Sequence, residues 1–237
     1  MPFGDRNNIM IIEIKNLKRI YEGRVPTQAL KGVNIEIEKG EFIAIMGRSG
    51  SGKSTLLHQL GLLDNPTSGE IIIDGVDVLG LTNRQQTHFR LTKLGYVFQE
   101  YALLPELTAL ESVYLPLMKQ GIKKTEYIKR ATCVLAKVGL EERLYHLPRE
   151  LSGGEQQRVA IARAIVNNPK ILFADEPCAN LDSESSETVL KLFQKLNKEL
   201  GQTIVMVTHE PEDKKYVERV ILLKDGLIVS ERENIKL

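Results

Sequence analysis

The chain has 237 residues, of which 42% are hydrophobic and 27% charged, and its formal net charge at pH 7 is +1. This length suits one large domain or one domain with an inserted lobe, and the hydrophobic fraction is enough for a substantial core. Because a balanced charge gives no general attraction to nucleic acid, we expect no nucleic-acid partner.

Several absences in the sequence favour a cytoplasmic protein. No apolar run approaches the ~20 residues that a membrane-spanning helix needs, and residues 1–8 lack the apolar centre of a signal peptide. Cys133 and Cys178 have neither zinc-ligand nor Cys-x-x-Cys spacing, so we expect reduced thiols. Any contact with a membrane is therefore expected to go through a partner.

Short apolar segments alternate with amphipathic ones along most of the chain. The continuously apolar run 42–46 predicts a strand buried on both faces, and it leads through a glycine-rich loop into a helix from Ser54. Strands alternating with helices indicate an α/β fold with a mostly parallel sheet. The other predicted elements are strands 9–14, 33–37, 70–74 and 95–98, a polar helix 81–94, a strand 171–174, a helix 183–200, and strands 203–208, 220–223 and 227–229.

The alternation stops between residues 106 and 147, where strand signals vanish and residues 123–138 have helical spacing. This change predicts an inserted helical lobe of about residues 100–158. Residues 9–99 and 159–237 would then form the core of one domain.

The segment from Gly47 to Ser54 fits the pattern G-x-x-x-x-G-K-[ST]. Glycines let successive backbone N–H groups turn inward around a β-phosphate, and the following helix points its N-terminus at the phosphates. Lys53 can reach the β- and γ-phosphates, while the Ser54 hydroxyl can ligate Mg²⁺. The predicted nucleotide-binding residues are Gly47, Arg48, Ser49, Gly50, Ser51, Gly52, Lys53, Ser54 and Thr55.

The apolar run 171–174 ends in two acids, Asp175 and Glu176. A carboxylate at the C-terminal edge of a parallel sheet lies where ligands bind. In phosphate-loop enzymes such an aspartate helps to hold Mg²⁺. We therefore predict that Asp175 binds Mg²⁺ through a metal-bound water. Glu176 is then the candidate general base that polarises the attacking water.

A second glycine-rich turn, Leu151-Ser152-Gly153-Gly154-Glu155-Gln156-Gln157-Arg158, follows the predicted lobe. Ser152 can cap a helix that starts at Gly153, but a cap requires neither glycine. A serine hydroxyl, glycine N–H groups and a helix N-terminus together make an anion site. Because the chain already has a phosphate site, the second one predicts a γ-phosphate supplied by another subunit, in a head-to-tail dimer with two composite sites.

With these motifs in this order, residues 9–229 resemble the ABC-type ATPases. The resemblance implies a phosphate-loop fold with a RecA-like core, an antiparallel β subdomain and an inserted α-helical subdomain. It implies ATP and Mg²⁺ as cofactors, ATP hydrolysis, and an integral membrane permease that holds the chain at the inner face of the cell membrane. It also implies roles for single residues. Tyr21 would stack on adenine, Gln99 would contact Mg²⁺ and the attacking water, and Glu176 and His209 would act at the γ-phosphate. The residues that would act in trans, on the nucleotide of the other subunit, are Ser152, Gly153, Gly154 and Asp182. Two of these residues have purely structural alternatives: Tyr21 could be an ordinary partly buried tyrosine, and Gln99 could simply cap its strand.

Segments 29–33, 61–64 and 104–116 are similar to the lipoprotein-release and macrolide-export group of that family. This similarity implies a four-helix membrane subunit and leaves export, lipoprotein release and mechanotransmission open. The apolar residues after Gln99 either pack the lobe or line a groove for a short helix of that subunit; they are Leu103, Leu104, Leu107, Leu110, Tyr114 and Leu115.

Three positions depart from the common family pattern without removing a catalytic group: Arg48, Cys178 and Ala179. Cys178 lies close to the expected dimer seam, so oxidation sensitivity is a hypothesis here. The alternative function is a soluble ABC ATPase that acts without a membrane partner. A phosphate-loop kinase or GTPase is disfavoured, because the second glycine turn is present and an Asn-Lys-x-Asp guanine reader is absent.

Overall fold

The computed structural model describes residues 9–233, so the predictions for residues 1–8 and 234–237 lie outside the described residues. No helix in the described range is long and apolar enough to cross a membrane. Short 3-10 turns lie at Pro148–Glu150 and Pro211–Tyr216. The helices and strands are, in chain order, β1 (Met10–Tyr21), β2 (Thr27–Glu38), β3 (Phe42–Met46), α1 (Lys53–Leu60), β4 (Ser68–Ile73), β5 (Val76–Asp77), α2 (Asn83–Lys93), β6 (Leu94–Val97), α3 (Ala109–Lys119), α4 (Lys124–Lys137), α5 (Gly153–Ile165), β7 (Ile171–Asp175), α6 (Ser183–Leu200), β8 (Thr203–Thr208), β9 (Arg219–Lys224) and β10 (Leu227–Glu233).

The larger sheet has six strands in the order β10-β9-β3-β8-β7-β6, and the five strands from β9 to β6 are parallel. Strand β3 is buried along its whole length, which explains its unbroken apolar sequence. The pairs Met46–Thr208 and Asp175–Val207 bring the carboxyl ends of β3, β8 and β7 to one edge. The predicted α/β fold is confirmed, and the loops that carry the phosphate motif, the two acids and His209 meet at that edge.

The smaller sheet is antiparallel, with the strand order β2-β1-β4-β5. Its strands β1 and β2 each have 12 residues and extend well beyond the predicted ranges 9–14 and 33–37. The outer half of β1 contains the polar residues Lys15, Asn16, Lys18 and Arg19, and its pairing shifts register between Ile14 and Lys18. The bulged, polar half therefore lacks the alternation on which the prediction relied.

Each face of the six-stranded sheet has its own hydrophobic core. Ile43 and Ile45 of β3 point into a core shared with α1 and the antiparallel sheet. Phe42, Ala44 and Met46 point into the other core, which continues into α3, α4, α5 and α6. Because successive side chains of β3 point to opposite faces of the sheet, this one strand contributes to both hydrophobic cores.

Helices α3 and α4 and the start of α5 lie in the segment where the sequence analysis expects a helical lobe. The helical periodicity of residues 123–138 is confirmed, because Ala131 and Leu135 are fully buried in the core that these helices share. Helix α5 begins at Gly153, as predicted, and continues to Ile165 without a break. The predicted lobe boundary at residue 158 therefore falls inside a helix.

Candidate active site

The phosphate loop connects β3 to α1 and contains two glycines with positive φ angles. Gly50 and Gly52 have φ angles of 78° and 103°, in the region that favours glycine. A Cβ atom on Gly52 would lie 2.6 Å from the carbonyl oxygen of Ala29. The backbone of Ser51 is held on both sides, by the Arg48 carbonyl at 3.1 Å and the Gly226 N–H at 3.0 Å. The loop is thus a tight, fixed turn that leads directly into the N-terminus of α1, an arrangement suited to binding a phosphate.

Lys53, the first residue of α1, carries a nearly buried ammonium group. Only 5% of the residue is exposed. Its Nζ atom donates to the Arg48 carbonyl at 3.3 Å and lies 3.7 Å from Oε1 of Glu176. A buried charge that is only loosely compensated favours an anionic ligand, because phosphate oxygens would complete its hydrogen bonds.

Asp175 ends β7 and faces the first two turns of α1. The Ser54 hydroxyl donates to its Oδ1 at 3.1 Å, and Nε2 of His58 lies 3.5 Å from its Oδ2. The predicted metal-binding pair is thus brought together, and its oxygen atoms suit Mg²⁺. We did not predict His58 from the sequence, although its i+4 spacing from Ser54 places both side chains on one helix face.

Glu176 and His209, the predicted base and switch histidine, meet directly. Nδ1 of the imidazole lies 3.3 Å from Oε1 of Glu176, while Nε2 lies 3.1 Å from Oε1 of Glu210. Glu176 has a φ angle of 43°, and its N–H donates to the Val207 carbonyl at 2.9 Å. A non-glycine residue in this backbone region is strained, and such strain clusters at functional sites.

The backbone on either side of His209 is fixed by a buried carboxyl group that the sequence analysis missed. The Thr208 hydroxyl donates to Oδ2 of Asp213 at 2.6 Å and accepts from the Glu210 N–H at 3.1 Å. Asp213 is only 5% exposed, and burial raises the pKa of this carboxyl. No local pattern marks this residue, because its partner belongs to the preceding strand.

A cavity of about 770 Å³ opens over this edge of the sheet. Its volume lies within the range of about 300–1,000 Å³ that is usual for small-molecule sites. The predicted site residues that line it are Gly47, Arg48, Ser49, Lys53, Glu176 and His209.

Tyr21 and Gln99 are among the predicted residues that do not line this cavity. Tyr21 is the last residue of β1; its hydroxyl donates to Oδ2 of Asp64 at 3.0 Å, and the Arg19 guanidinium lies 4.4 Å from its ring centre. Gln99 is exposed, two residues beyond the end of β6. Their assigned roles at the nucleotide stay predictions.

The second glycine-rich turn forms the N-terminus of α5, and none of Ser152, Gly153 and Gly154 lines the cavity. The Ser152 hydroxyl accepts from the Glu155 N–H at 3.2 Å, and Oε2 of Glu155 accepts from the Ser152 N–H at 2.8 Å. This capping box lowers the pKa of Glu155. Within one chain the turn is thus a well-formed helix start, separate from the phosphate loop.

The predicted seam residues lie at the start of α6. Asp182 caps this helix by accepting from the N–H and the hydroxyl of Ser185, both at 2.8 Å, and these bonds lower its pKa. Burial raises the pKa of the Cys178 thiol to about 12. A thiol that stays protonated at neutral pH is a poor nucleophile, which weakens the hypothesis of oxidation sensitivity.

The fold and this edge of the sheet define an ATP-binding cassette of the phosphate-loop class. A family model described as "ABC transporter" matches residues 30–179, and the chain belongs to this family. It is 48% identical to the lipoprotein-releasing system ATP-binding protein LolD of Aquifex aeolicus over 93% of this chain and 97% of that protein. It is 46% identical to the macrolide export ATP-binding/permease protein MacB of Syntrophobacter fumaroxidans over 93% of this chain and 31% of that protein.

The chain thus spans about a third of the length of the macrolide-export relatives. The predicted similarity to the lipoprotein-release and macrolide-export group is confirmed. Among solved structures, the ATP-binding cassette MJ0796, described as a dimer in a post-hydrolysis state bound to ADP and Pi, matches with a TM-score of 0.88. That match is 45% identical and covers 95% of this chain and 100% of the other.

Proposed function

We propose that this chain is the ATP-hydrolysing subunit of a membrane transporter and forms a head-to-tail dimer around two ATP molecules. The observation that carries the proposal is that one chain contains two separate parts of an ATP site. One chain holds a complete phosphate cradle with a base, and it presents a serine–glycine helix start that lies outside the cavity. The dimeric state of the related cassette bound to ADP and Pi supports this arrangement.

The cradle residues bind and orient the triphosphate, and the acids act on water. The Lys53 ammonium neutralises charge on the β- and γ-phosphates. Glu176 accepts a proton from the attacking water as its oxygen bonds to the γ-phosphorus and the bond to the β–γ bridging oxygen breaks, which releases ADP. Ser54, Gln99 and Asp175 would hold Mg²⁺, which when bound neutralises charge on the phosphate oxygens.

The trans half of each site comes from the partner copy. The hydroxyl of Ser152 and the N–H groups of Gly153 and Gly154 would bind the γ-phosphate, and Asp182 would lie at the seam. Because ATP then contacts both chains, binding favours the closed dimer and hydrolysis removes that preference. A single domain of residues 9–237, with a helical subdomain of about residues 100–158, would carry both halves.

The variant Glu176→Gln tests the chemistry. The amide keeps the size of the side chain but cannot accept the proton, so phosphate release should fall at least about a hundredfold. Binding of a fluorescent ATP analogue should be unchanged, because Glu176 lies beyond the cradle and Lys53 keeps its bond to the loop. Phosphate release at the wild-type rate would contradict the assignment of Glu176 as the base.

We propose that the membrane partner, an integral permease, docks against the helical lobe and holds the chain at the inner face of the membrane. The lobe uses some of the apolar residues after Gln99 itself, since Leu110 is only 6% exposed. Leu104 is 52% exposed. A cavity of about 630 Å³ lies nearby between α2 and the helices α3 and α5. Such a complex would serve export, lipoprotein release or mechanotransmission.

Leu104→Asp should abolish stimulation of ATPase activity by the co-expressed permease and leave basal hydrolysis unchanged. Leu200→Asp is the matched control, because Leu200 is 58% exposed at the far end of α6. Equal loss of basal and stimulated activity in Leu104→Asp would contradict docking at this position. Failure of the chain to co-purify with any membrane protein would favour a soluble ABC ATPase.

A further inference from the structure

The loop that follows Gln99 has a backbone conformation that needs outside support. Tyr101 and Ala102 are consecutive residues with φ angles of 57° and 49°, and the Ala102 N–H donates to the carbonyl of Glu100. The left-handed region is unfavourable for residues with a Cβ atom, and it normally occurs at single positions. Two such residues in succession persist only if neighbouring groups hold them.

Arg163 of α5 supplies that support. Its Nη1 donates to the Ala102 carbonyl at 2.5 Å, and its Nη2 donates to the Tyr101 carbonyl at 2.9 Å. Burial lowers the pKa of this guanidinium. Within residues 9–233 it forms no ion pair with a carboxylate, so its planar fork is committed to these two carbonyls.

Further contacts connect the same loop to the start of α5 and to residues 180–182, the loop that precedes α6. The Tyr101 hydroxyl donates to the carbonyl of Asn180 at 3.4 Å. It also covers Gly153, where a Cβ atom would lie 3.0 Å from it. In return, Nδ2 of Asn180 donates to the carbonyl of Gln99 at 3.1 Å. The Gln99 carbonyl is therefore bonded to the Asn180 side chain, and the carbonyls of Tyr101 and Ala102 are bonded to Arg163 of α5.

We propose that Arg163 is a positioning residue for Gln99. It contacts neither the phosphate cradle nor the cavity above it; it holds the Tyr101–Ala102 backbone in the one conformation that sets the direction of Gln99. This inference rests on the proposed function, in which Gln99 acts at the attacking water. Arg163 also lines the 630 Å³ cavity between α2 and the lobe, so a permease segment bound there would contact the side chain that holds the loop.

The test combines Arg163→Met, Gln99→Ala and the double variant in one cycle of steady-state ATPase measurements. Misplacing a reacting group by about 1 Å can cost up to a hundredfold in rate, so we expect Arg163→Met to lower kcat by at least about tenfold while KM for ATP changes little. In the Gln99→Ala background the same change should lower kcat by less than about twofold, because there is no longer a side chain to misplace.

Two more variants separate positioning from general damage to the fold. Arg163→Lys keeps a cation but cannot span both carbonyls, so it should restore part of the lost kcat. Arg130→Met is the matched control, because Arg130 is an exposed arginine on α4 paired with Glu126, and its kcat should stay at the wild-type value.

The outcomes distinguish the two levels of the proposal. If Arg163→Met keeps the wild-type kcat, or lowers kcat by the same factor with and without Gln99, Arg163 does not position Gln99. If Gln99→Ala itself keeps the wild-type kcat, the role of Gln99 in the proposed function is wrong, and the role of Arg163 fails with it.

Discussion

Ser152→Ala separates the two roles of the second glycine-rich turn, as helix cap and as trans ligand. In one chain the hydroxyl accepts from the Glu155 N–H at 3.2 Å. Loss of such a cap costs about 1 kcal/mol, which in a chain of this size lowers the melting temperature by roughly 2–4 °C. A hydroxyl can accept one hydrogen bond and donate another, so the cap is compatible with donation to the γ-phosphate of a second chain.

The same chain contains a matched control in α3. Thr108 accepts from the Glu111 N–H at 3.3 Å, and Oε2 of Glu111 accepts from the Thr108 N–H at 2.9 Å. Both caps therefore have the same pair of reciprocal N–H hydrogen bonds, and the Thr108 hydroxyl also donates to Oε2 of Glu111 at 2.8 Å. Only Ser152 is proposed to reach a phosphate. Thr108→Ala and Ser152→Ala should lower the melting temperature by similar amounts.

The ATPase rates should differ strongly between the two variants. Removing one preorganised donor to developing negative charge costs about a hundredfold or more in kcat, so Ser152→Ala should lose that factor while Thr108→Ala stays near the wild-type rate. The assay is phosphate release at saturating ATP, at a temperature where both variants are folded. If Ser152→Ala loses no more activity than Thr108→Ala, the hydroxyl is only a cap.

Two further predictions concern pH and the loop glycines. Because burial raises the pKa of Asp213, the folded chain binds that proton more tightly than the unfolded chain, so the carboxyl stabilises the fold at low pH and progressively less as pH rises through its folded pKa. Asp213→Asn should therefore melt at increasingly higher temperature than the wild type as pH rises from about 4, near the ordinary aspartate pKa, to 8; a difference that does not change with pH would contradict this. Gly52→Ala should abolish ATP binding and destabilise the fold. Gly121 has a φ angle of 75° and open space around it, so Gly121→Ala should cost only about 1–2 kcal/mol of stability and bind ATP normally. Equal effects of the two variants on ATP binding would show that steric fit at Gly52 is unimportant.

Elements with strong local signals could be predicted from the sequence to the residue. Helix α6 spans 183–200 as predicted, because Asp182 caps its start and Gly201, with a φ angle of 62°, ends it. The buried strands β3 and β8 also have their predicted bounds, since both are short apolar runs between turns. In contrast, the polar outer half of β1 is held by its neighbours β2 and β4, which local pattern cannot show.

In the site, too, residues with a local sequence signal could be predicted and residues held by distant partners could not. The meeting of the phosphate loop, Asp175, Glu176 and His209 at one sheet edge could be predicted, because each lies at or directly after the end of an apolar strand. Arg163 could not be predicted, because its partners lie 61 and 62 residues earlier in the chain. Nor can the contacts of one chain show what binds Ser152, since the proposed ligand lies on a second copy.

The central claim is that ATP joins two copies of the chain, and the mass of Glu176→Gln in solution tests it most directly. With ATP and Mg²⁺, multi-angle light scattering should give the mass of two chains, and removal of ATP should return the mass of one. Adding Ser152→Ala to this variant should weaken the dimer, while adding Thr108→Ala should not. The mass of a single chain at saturating ATP would contradict the shared site.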